Sequence, residues 1–572
     1  MNWLDYAIVI IYSFGLIGMG YLFKNSKDSK DYFLGGKSFG WFPLSMSTMA
    51  TQLSAISFVS APAFVGLLQG GGMKWLTFEL AVPLAMIFVM FVIIPPLWKA
   101  GVVSIYEFLE QRFNRTTRLI LSFVFQISRA LGTGVMVFLI AIILKAVLGV
   151  SLEITVLIIS VITLIYSYQG GMKAVIWGDT VQMIILFSGL VIMLAVSLFL
   201  LSENGGILAN IDTSRLEVIN FTKFGWSNGT NQDTYGFWPM VIGGFFLYTS
   251  YYGTDQTQAQ RTLSASSLKT VRQTLMVNGL FRFPVVLVYC IMGLLIGALV
   301  VSIPEYGAEI TQKSVQYYSD YYGSEAAGIA KYEQLGDKVD LMVPVFITRF
   351  LPHGIIGLLI IAIMSAAMSS LSSTINSLSA VSVEDLFNHK KQLNQKNYLK
   401  YSRISVLFWG VVCIGSAFFF GKSESPVIEI INAVGSIFYG PILATFLLAI
   451  FDRKLGSSAM NFGILTTVGI HLFIKLPGIL GIAAGATALT DFALNLDANI
   501  FWIWFNFTGF MLTMVFAYLY QFILNPAIEA PEKLNQIDRG ISLSFLRNQE
   551  SIILIGFFIV IILISISIPF LF

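Results

Sequence analysis

Long runs of apolar residues alternate with short polar segments along almost the whole chain. A helix needs about 20 mostly apolar residues to cross the hydrocarbon core of a bilayer. By that measure the pattern predicts fourteen membrane spans, and it predicts that the 342–386 run holds a short half-helix, a turn at Pro352–Gly354 and then the span itself. The spans are 3–23, 41–67, 75–98, 117–148, 152–171, 179–202, 236–253, 273–301, 342–386, 404–421, 426–451, 459–478, 501–524 and 551–571.

The composition of the 572 residues agrees with an integral membrane protein. Apolar residues make up 56% of the chain and charged residues only 11%, whereas soluble domains carry about 25% charged residues. Charged residues are too few to cover a water-exposed surface of this size. The lipid bilayer is therefore the expected environment. The net charge of +3 gives no indication of nucleic-acid binding. No segment between spans is long enough for a folded domain, and no obligatory protein partner is expected.

Lysine and arginine cluster in the loops that follow odd-numbered spans, at 24–37, 99–118, 261–272, 390–403, 453–454 and 533–547. Cytoplasmic loops carry the excess of basic residues. We therefore expect these loops inside the cell and both termini outside, in the cell (inner) membrane if the source is bacterial. The two long polar loops, 203–235 and 302–341, then lie outside.

Two spans carry polar residues that point to interrupted helices. Residues 45–58 of span 2 are dense in serine and threonine, and residues 243–256 of span 7 end in Tyr-Tyr-Gly-Thr-Asp-Gln. The two spans lie five apart and run in opposite directions, as expected for inverted repeats around a binding site near the midplane. The alternative is that these hydroxyl groups only hydrogen-bond their own helix or a neighbouring one.

Span 9 adds a run of hydroxyl side chains. Ser369, Ser372 and Ser373 are spaced i, i+3 and i+4, so they share one helix face, with Ser370 beside it. Oxygen ligands of this kind suit a hard cation such as Na⁺. The chain has no Walker A motif, so ATP is not expected to drive it.

Four motifs resemble one known family when they are taken together. They are Asp31-Tyr-Phe-Leu-Gly-Gly-Lys-Ser-Phe-Gly-Trp-Phe, Lys99-Ala-Gly-Val-Val-Ser-Ile-Tyr-Glu-Phe-Leu-Glu-Gln-Arg-Phe, Gly170-Gly-Met-Lys-Ala-Val-Ile-Trp-Gly-Asp-Thr-Val-Gln and Tyr252-Gly-Thr-Asp-Gln-Thr-Gln-Ala-Gln-Arg. Over about residues 1–525 the chain resembles the sodium:solute symporter family, the relatives of sodium/glucose cotransporters, and among them bacterial sugar and sialic-acid symporters.

The resemblance implies an all-α polytopic membrane fold of the LeuT type, with two inverted five-helix repeats and flanking helices. It divides the chain into five segments. They are a first helix and cytoplasmic loop (1–40), the first repeat (41–202), an extracellular loop (203–235), the second repeat with the loop 302–341 (236–452) and C-terminal helices (453–572).

The resemblance also implies sodium sites, for one or two Na⁺ ions per transport cycle. The first site would take carbonyl groups of Ala50, Leu53 and Ala366 and hydroxyl groups of Ser369 and Ser370. The second, known in sialic-acid relatives, would use Asp179, Ser369, Ser372 and Ser373. An aspartate near the end of a span can instead be a helix N-cap.

Two intramembrane charges mark the expected solute pocket. Glu79 resembles the glutamate that accepts hydroxyl hydrogen bonds in sugar transporters, or it pairs with structural polar groups. Arg129 resembles the arginine that binds the carboxylate in sialic-acid relatives, or it forms an internal ion pair, perhaps with Glu79. Arg282 has no assigned role. The other positions that resemble solute-facing ones are Gln52, Ser54, Ser57, Thr249, Tyr252 and Asn432.

We therefore expect a sodium-coupled symporter, and no enzyme, that imports a small polar organic solute by alternating access. A sugar or a sugar acid like sialic acid is the first expectation. Val82 and Thr249 depart from the residues of a galactose transporter, which weakens a galactose assignment. The alternative is a sodium-coupled importer of a small anion or monocarboxylate. A sodium channel is less favoured, because the polar residues cluster at one depth instead of forming a continuous path. A solute sensor is less favoured, because no output module is expected.

Overall fold

The structure, a computed structural model, describes residues 1–24, 29–53, 55–208, 210–226, 234–388, 391–419, 427–452, 454–479, 482, 485, 487–524 and 543–571. Within these residues the chain is helical and forms no β-strand. The first eleven α-helices are α1 (Trp3–Leu22), α2 (Ser29–Leu34), α3 (Trp41–Gln52), α4 (Ala55–Gly66), α5 (Val82–Phe88), α6 (Ile94–Ala100), α7 (Tyr106–Arg112), α8 (Arg115–Leu148), α9 (Leu152–Glu203), α10 (Phe237–Gly253) and α11 (Gln256–Leu263). The next eleven are α12 (Leu268–Ser302), α13 (Pro304–Tyr322), α14 (Glu325–Leu335), α15 (Met342–Phe350), α16 (Ile355–Val381), α17 (Gln395–Phe419), α18 (Val427–Phe451), α19 (Ser457–Ile479), α20 (Ala488–Asn499), α21 (Trp504–Leu524) and α22 (Gln549–Leu571).

The described helices coincide in position with the fourteen predicted spans. Ten segments are long and apolar enough to cross a bilayer, and the bent pair of α3 and α4 makes an eleventh. The 52 residues of α9 are about 78 Å long at 1.5 Å per residue. That is more than twice the hydrocarbon thickness, and α9 is kinked at Gly171 (φ 52°, ψ −143°), so it supplies two spans. The 17 residues of α10 and the 25 of α18 complete the set.

The interruption predicted in span 2 is confirmed. The first half, α3, ends at Gln52, and Leu53 leaves the helical region with φ −80° and ψ 71°. The second half continues as α4 at an angle of 53°. A break of this kind frees backbone carbonyl groups, which inside a membrane must be satisfied by protein, water or a ligand.

The interruption predicted in span 7 is also confirmed, and it falls at its end. After Gly253 the chain leaves the helix at Thr254, and Asp255 is extended (φ −96°, ψ 125°). The Oδ1 atom of Asp255 accepts a hydrogen bond from the backbone N–H of Thr257 at 2.8 Å, which caps the following helix α11. All eight residues of α11 are buried, although most are polar.

The turn predicted before span 9 is confirmed and is fixed by α1. The half-helix α15 ends at Phe350, and α16 begins at Ile355 after Pro352–Gly354. The buried Asp5 accepts hydrogen bonds from the backbone N–H groups of Gly354 at 2.6 Å and Gly357 at 3.0 Å. The first helix thereby positions the start of α16, the helix that carries the serine run.

The polar loop 302–341 contains helices that the sequence analysis did not predict. Pro304 starts α13, Gly323 ends it with a positive φ of 82°, and Ser324 caps α14. The buried residues of α13 recur every four positions, at Tyr306, Ile310, Ser314 and Tyr318, as on one face of an amphipathic helix. This segment lacks a run of 20 apolar residues, so a search for membrane spans passes over it.

Candidate functional site

A cavity of about 170 Å³ lies between the interrupted spans and α8, α12, α16 and α18. Pockets for drug-sized ligands measure roughly 300–1,000 Å³, so this volume fits a small solute. The polar residues that line it are Thr51, Gln52, Ser57, Glu79, Ser128, Arg129, Thr133, Tyr251, Asp255, Thr257, Arg282, Tyr289, Ser370, Thr374 and Tyr439. Trp75 and Phe78, whose rings stack with centroids 5.4 Å apart, supply part of the apolar wall.

The structure brings four of the predicted solute-facing residues to this cavity: Gln52, Ser57, Glu79 and Arg129. Tyr252 lies next to it and donates its hydroxyl to Oε1 of Gln52, which links the two interrupted spans. Thr249 is buried away from the described lining, and its Oγ1 has no hydrogen-bond partner among the described residues. Ser54 and the side chain of Asn432 lie outside the described residues.

Glu79 forms a buried ion pair with Arg282. The Nε of Arg282 donates to Oε2 of Glu79, and its Nη2 donates to Oε1 at 2.9 Å. Oε1 also accepts a hydrogen bond from the hydroxyl of Tyr248 at 3.4 Å. Both charges are almost fully buried. Arg282 also lines the cavity, and its Nη1 group is buried.

Arg129 pairs with Asp255, not with Glu79. Its Nε donates to Oδ2 of Asp255 at 2.6 Å, and its Nη2 donates to the same oxygen and to the hydroxyl of Tyr439 at 2.8 Å. The guanidinium carbon lies 5.1 Å from the ring centroid of Tyr251. The Arg129 side chain is 22% exposed and that of Asp255 only 4%, so the arginine is the member of the pair that faces the open space.

The residues of the first expected sodium site lie on α3, at its end and on α16, and these two helices pack against each other. Ala50, Leu53, Ala366, Ser369 and Ser370 are all buried. The Oγ of Ser370 lies 3.4 Å from the carbonyl oxygen of Thr51 and 3.3 Å from that of Ala366. The Oγ of Ser369 has no hydrogen-bond partner among the described residues. Carbonyl and hydroxyl oxygens therefore lie close together between α3 and α16. They are next to the cavity, because Ser370 is also one of its lining residues.

Two residues of the second expected site, Asp179 and Ser373, contact an arginine that the sequence analysis placed in a basic loop. Asp179 Oδ2 accepts hydrogen bonds from Ser47 Oγ at 2.5 Å and from Arg261 Nη2 at 2.9 Å. The same Nη2 also donates to Ser373 Oγ. The remaining serine, Ser372, donates to the backbone carbonyl of Ser369 at 3.0 Å.

Arg261 lies on α11 and is only 1% exposed. Its Nε donates to Ser47 Oγ at 2.7 Å, and its Nη1 donates to the backbone carbonyl of Thr257. Arg261 is followed in the sequence by Lys269 and Arg272, and this cluster of basic residues predicts a cytoplasmic loop. The signal that distinguishes Arg261 is its place at the end of the polar run that follows the break in span 7.

Acidic residues are sparse around these oxygens. No group of three or more His, Cys, Asp or Glu side chains that could hold a metal ion occurs among the described residues. The side chains around Asp179 therefore combine one carboxylate, hydroxyl groups and the guanidinium of Arg261. The residues of the first expected site include no charged side chain. Carbonyl and hydroxyl oxygens are the kind of ligand that hard cations prefer.

Comparisons with known proteins agree with this arrangement. The model of the sodium:solute symporter family matches residues 32–466. The sodium-coupled monocarboxylate transporter 1 of Xenopus laevis is 28% identical over 481 residues, which cover 83% of this chain and 72% of the relative. The sodium/sialic acid symporter of Proteus mirabilis is 26% identical over 479 residues, 82% of this chain and 88% of the relative.

A solved structure shows the same fold. It is the substrate-bound, outward-open state of a Na⁺-coupled sialic acid symporter, with a TM-score of 0.72 and 22% identity, and the match covers 91% of this chain and 98% of that one. The all-α fold of the LeuT type expected from the sequence is thereby confirmed. The family model spans most of the chain, and the relatives are sodium-coupled transporters. The chain thus belongs to the sodium:solute symporter family and imports a solute together with sodium.

Proposed function

We propose that the imported solute is a small polar molecule that carries a carboxylate, a sugar acid of the sialic-acid kind. The observation that supports this is the pair of arginines at the cavity wall. Arg282 and Arg129 both line the cavity, and the Arg129 side chain is 22% exposed. A planar guanidinium binds a carboxylate through two parallel hydrogen bonds.

A neutral sugar fits this cavity less well. The sugar-transporter role of Glu79 requires a carboxylate that is free to accept hydrogen bonds from hydroxyl groups. Here Arg282 and Tyr248 already donate to its oxygens. The carboxamide of Gln52 and the hydroxyl of Ser57 remain for the polar groups of a solute.

A small monocarboxylate or another small anion is the second candidate. The observation that favours it is the cavity volume of about 170 Å³. Relatives named as monocarboxylate and iodide transporters are 28% and 26% identical to this chain. Both candidates share the anionic group that the arginines would hold, and they differ in whether Gln52 and Ser57 contact hydroxyl groups.

Sodium would bind at the two predicted positions. The first is Ala50, Leu53, Ala366, Ser369 and Ser370, and the second is built on Asp179 with the serines of α16. Ions that enter from outside would hold α16 against α3 and complete the wall of the cavity. Opening to the inside would separate these helices and release the first ion, as in alternating access around a midplane site.

The direction of transport depends on topology. We propose that the basic loops lie in the cytoplasm and that both termini lie outside, because Lys and Arg concentrate after odd-numbered spans. The acidic helices α13 and α14 then cover the outer face of the protein. The surrounding membrane is proposed to be the cell membrane, the inner one in a bacterium.

Uptake into proteoliposomes with an inward sodium gradient tests the solute. N-acetylneuraminate is expected to accumulate with sodium and not with potassium, and Arg129→Ala is expected to raise its half-saturating concentration on the order of 10- to 100-fold. That range corresponds to about 1.5–3 kcal/mol for hydrogen bonds with a charged partner. Glucose, galactose and a short monocarboxylate serve as competing solutes.

A matched pair of variants separates binding from structure. Asp255→Asn keeps the oxygen that caps α11 and removes the charge that neutralises Arg129, so the half-saturating concentration of an anionic solute is expected to fall. Arg129→Gln with Asp255→Asn leaves no unpaired charge, and the half-saturating concentration of an anionic solute is still expected to rise about as much as in Arg129→Ala. Sodium-driven uptake of neutral sugars that survives in this double variant would contradict the carboxylate proposal.

A further inference from the structure

A groove of about 560 Å³ lies between α18 and α21 near their C-terminal ends. α21 lines it with Phe510, Met514 and Tyr518, and α18 adds Leu447 and Phe451. Residues four apart share one face of a helix, so each helix contributes a stripe along its length. The stripe on α21 is about 12 Å long at 1.5 Å per residue. The α18–α21 groove is thus long, mostly apolar and parallel to the helices.

The groove begins where direct contact between the two helices ends. A Cβ at Gly440 of α18 would lie 2.5 Å from the carbonyl oxygen of Asn506 on α21, so the backbones touch there. Further along, at Leu447, side chains no longer fill the space between the helices. Phe451 and Tyr518 are both exposed, so the groove is open to the membrane surroundings in the described part of the chain.

The C-terminal end of the groove is polar and held in place by hydrogen bonds. Oδ1 of Asp452 accepts from the backbone N–H groups of Lys454 at 2.7 Å and Leu455 at 3.3 Å, and Oδ2 accepts from the hydroxyl of Tyr518 at 2.5 Å. From α7, Arg112 donates to the backbone carbonyls of Asp452 at 3.0 Å and Leu455 at 3.2 Å. The turn after α18 is therefore fixed against both α7 and α21.

This end carries one group of each charge. The carboxylate of Asp452 and the side chain of Lys454 both line the groove, and Lys454 is exposed, so its ammonium is accessible. A long apolar groove that ends in one carboxylate and one ammonium matches an amphiphile with a zwitterionic headgroup. An anionic headgroup would meet the carboxylate of Asp452, and a choline headgroup has no N–H to donate to it, whereas a primary ammonium has three.

We propose that the α18–α21 groove binds one phospholipid whose headgroup carries a phosphate and a primary ammonium. The ammonium binds the carboxylate of Asp452, the phosphate binds Lys454, and an acyl chain lies along Met514 and Phe510. In the proposed topology this lipid belongs to the cytoplasmic leaflet. Headgroup recognition itself does not depend on the topology.

A lipid in this groove acts on the solute cavity through α18. The same helix carries Tyr439, which lines the cavity and whose hydroxyl accepts a hydrogen bond from Nη2 of Arg129 at 2.8 Å. The acyl chain fills the space between the ends of α18 and α21, so it limits how far this end of α18 can move toward α21. The lipid is thus a positioning ligand for one wall of the cavity.

Native mass spectrometry of the purified full-length chain, stripped of lipid in detergent and then titrated with dioleoylphosphatidylethanolamine or dioleoylphosphatidylcholine, tests the proposal. One amine lipid is expected to bind, about tenfold more tightly than the choline lipid with the same acyl chains. Asp452→Asn keeps the oxygen that accepts from the backbone and removes the charge, so this preference is expected to disappear. Lys454→Met is expected to weaken both lipids equally, because both carry a phosphate.

Met514→Trp and Val515→Trp are a matched pair. Met514 lines the groove, whereas Val515 is its neighbour on α21, is 54% exposed and is not a lining residue. The first variant is expected to lose both lipids and the second to bind them like the wild type.

A preference for the amine lipid that persists in Asp452→Asn and Met514→Trp would overturn the proposal. Tighter wild-type binding of dioleoylphosphatidylglycerol would also overturn it, and so would a wild type that binds no lipid, as expected if residues 525–542 cover the groove. If Met514→Trp does not fold, Asp452→Asn decides alone. Solute and sodium are absent throughout, so an error in the solute assignment would leave this result unaffected.

Discussion

Replacing Arg282 by leucine is expected to destabilise the protein by about 3–5 kcal/mol and to abolish sodium-driven uptake. Removing one member of a buried ion pair leaves the other charge without compensation, and penalties of that size are typical. Glu79 is 1% exposed, and its remaining donor is Tyr248 at 3.4 Å. The measurement is unfolding in detergent together with uptake in proteoliposomes.

The double variant Glu79→Leu/Arg282→Leu distinguishes a structural loss from a functional one. Replacing both charges by apolar residues of similar size is often neutral for stability, so most of the lost stability is expected to return. Uptake is expected to stay absent, because the cavity wall then lacks one of the two guanidinium groups that are proposed to bind the solute. The coupling energy from the four-member mutant cycle gives the strength of the pair.

An exposed ion pair provides the control for this cycle. Lys145 and Asp320 lie 2.8 Å apart with side chains that are 40% and 46% exposed, and exposed pairs typically contribute less than about 1 kcal/mol. Lys145→Leu is therefore expected to change stability little. An Arg282→Leu protein as stable as the wild type would show that Glu79 finds another partner or water in the cavity.

The membrane spans could be predicted from the sequence because one physical requirement defines them. A helix needs about 20 mostly apolar residues to cross the hydrocarbon core of a bilayer. Each span therefore appears in the sequence as a continuous apolar segment. The breaks in spans 2 and 7 were predictable for the same reason, since clustered hydroxyl groups and glycines stand out against an apolar background. The residue boundaries of the two repeats remain predictions.

The partners of the buried charges could not be predicted. Glu79 and Arg282 are 203 positions apart, Arg129 and Asp255 are 126 apart, and Asp179 and Arg261 are 82 apart. Which charges meet depends on how interrupted helices cross and rotate, and spacing along the chain holds no information on that. The sequence therefore identified Glu79 and Arg129 as functional candidates but left Arg282 unassigned and placed Arg261 in a loop.

The second large effect is expected from a substitution where α12 crosses α4, at a contact formed by small residues. Gly293 on α12 faces Pro62 on α4, and a Cβ at Gly293 would lie 2.5 Å from the Pro62 carbonyl oxygen. A Cβ at Gly66 would lie 2.2 Å from the carbonyl oxygen of Gly293, and one at Gly297 would lie 2.5 Å from that of Gly66. The two backbones are in direct contact, as small residues permit at membrane helix interfaces.

Gly293→Ala is therefore expected to destabilise the protein by about 1–3 kcal/mol, the usual effect of overpacking, and to lower uptake strongly. The added methyl group meets backbone atoms, which cannot rotate away as a side chain can. α4 would have to move, and α4 is the half of the interrupted span that brings Ser57 to the cavity. Unfolding in detergent and uptake with a sodium gradient measure the two effects.

Gly556→Ala is the matched control, because nothing lies within 4 Å of a Cβ at that position of α22. Alanine is also the better helix former by about 1 kcal/mol, so this variant is expected to be as stable as the wild type or slightly more so. A Gly293→Ala protein that matched it in both assays would mean that α4 can shift without disturbing the cavity. The expected loss would instead show that α4, the second half of the interrupted span, is held in place by its contact with α12.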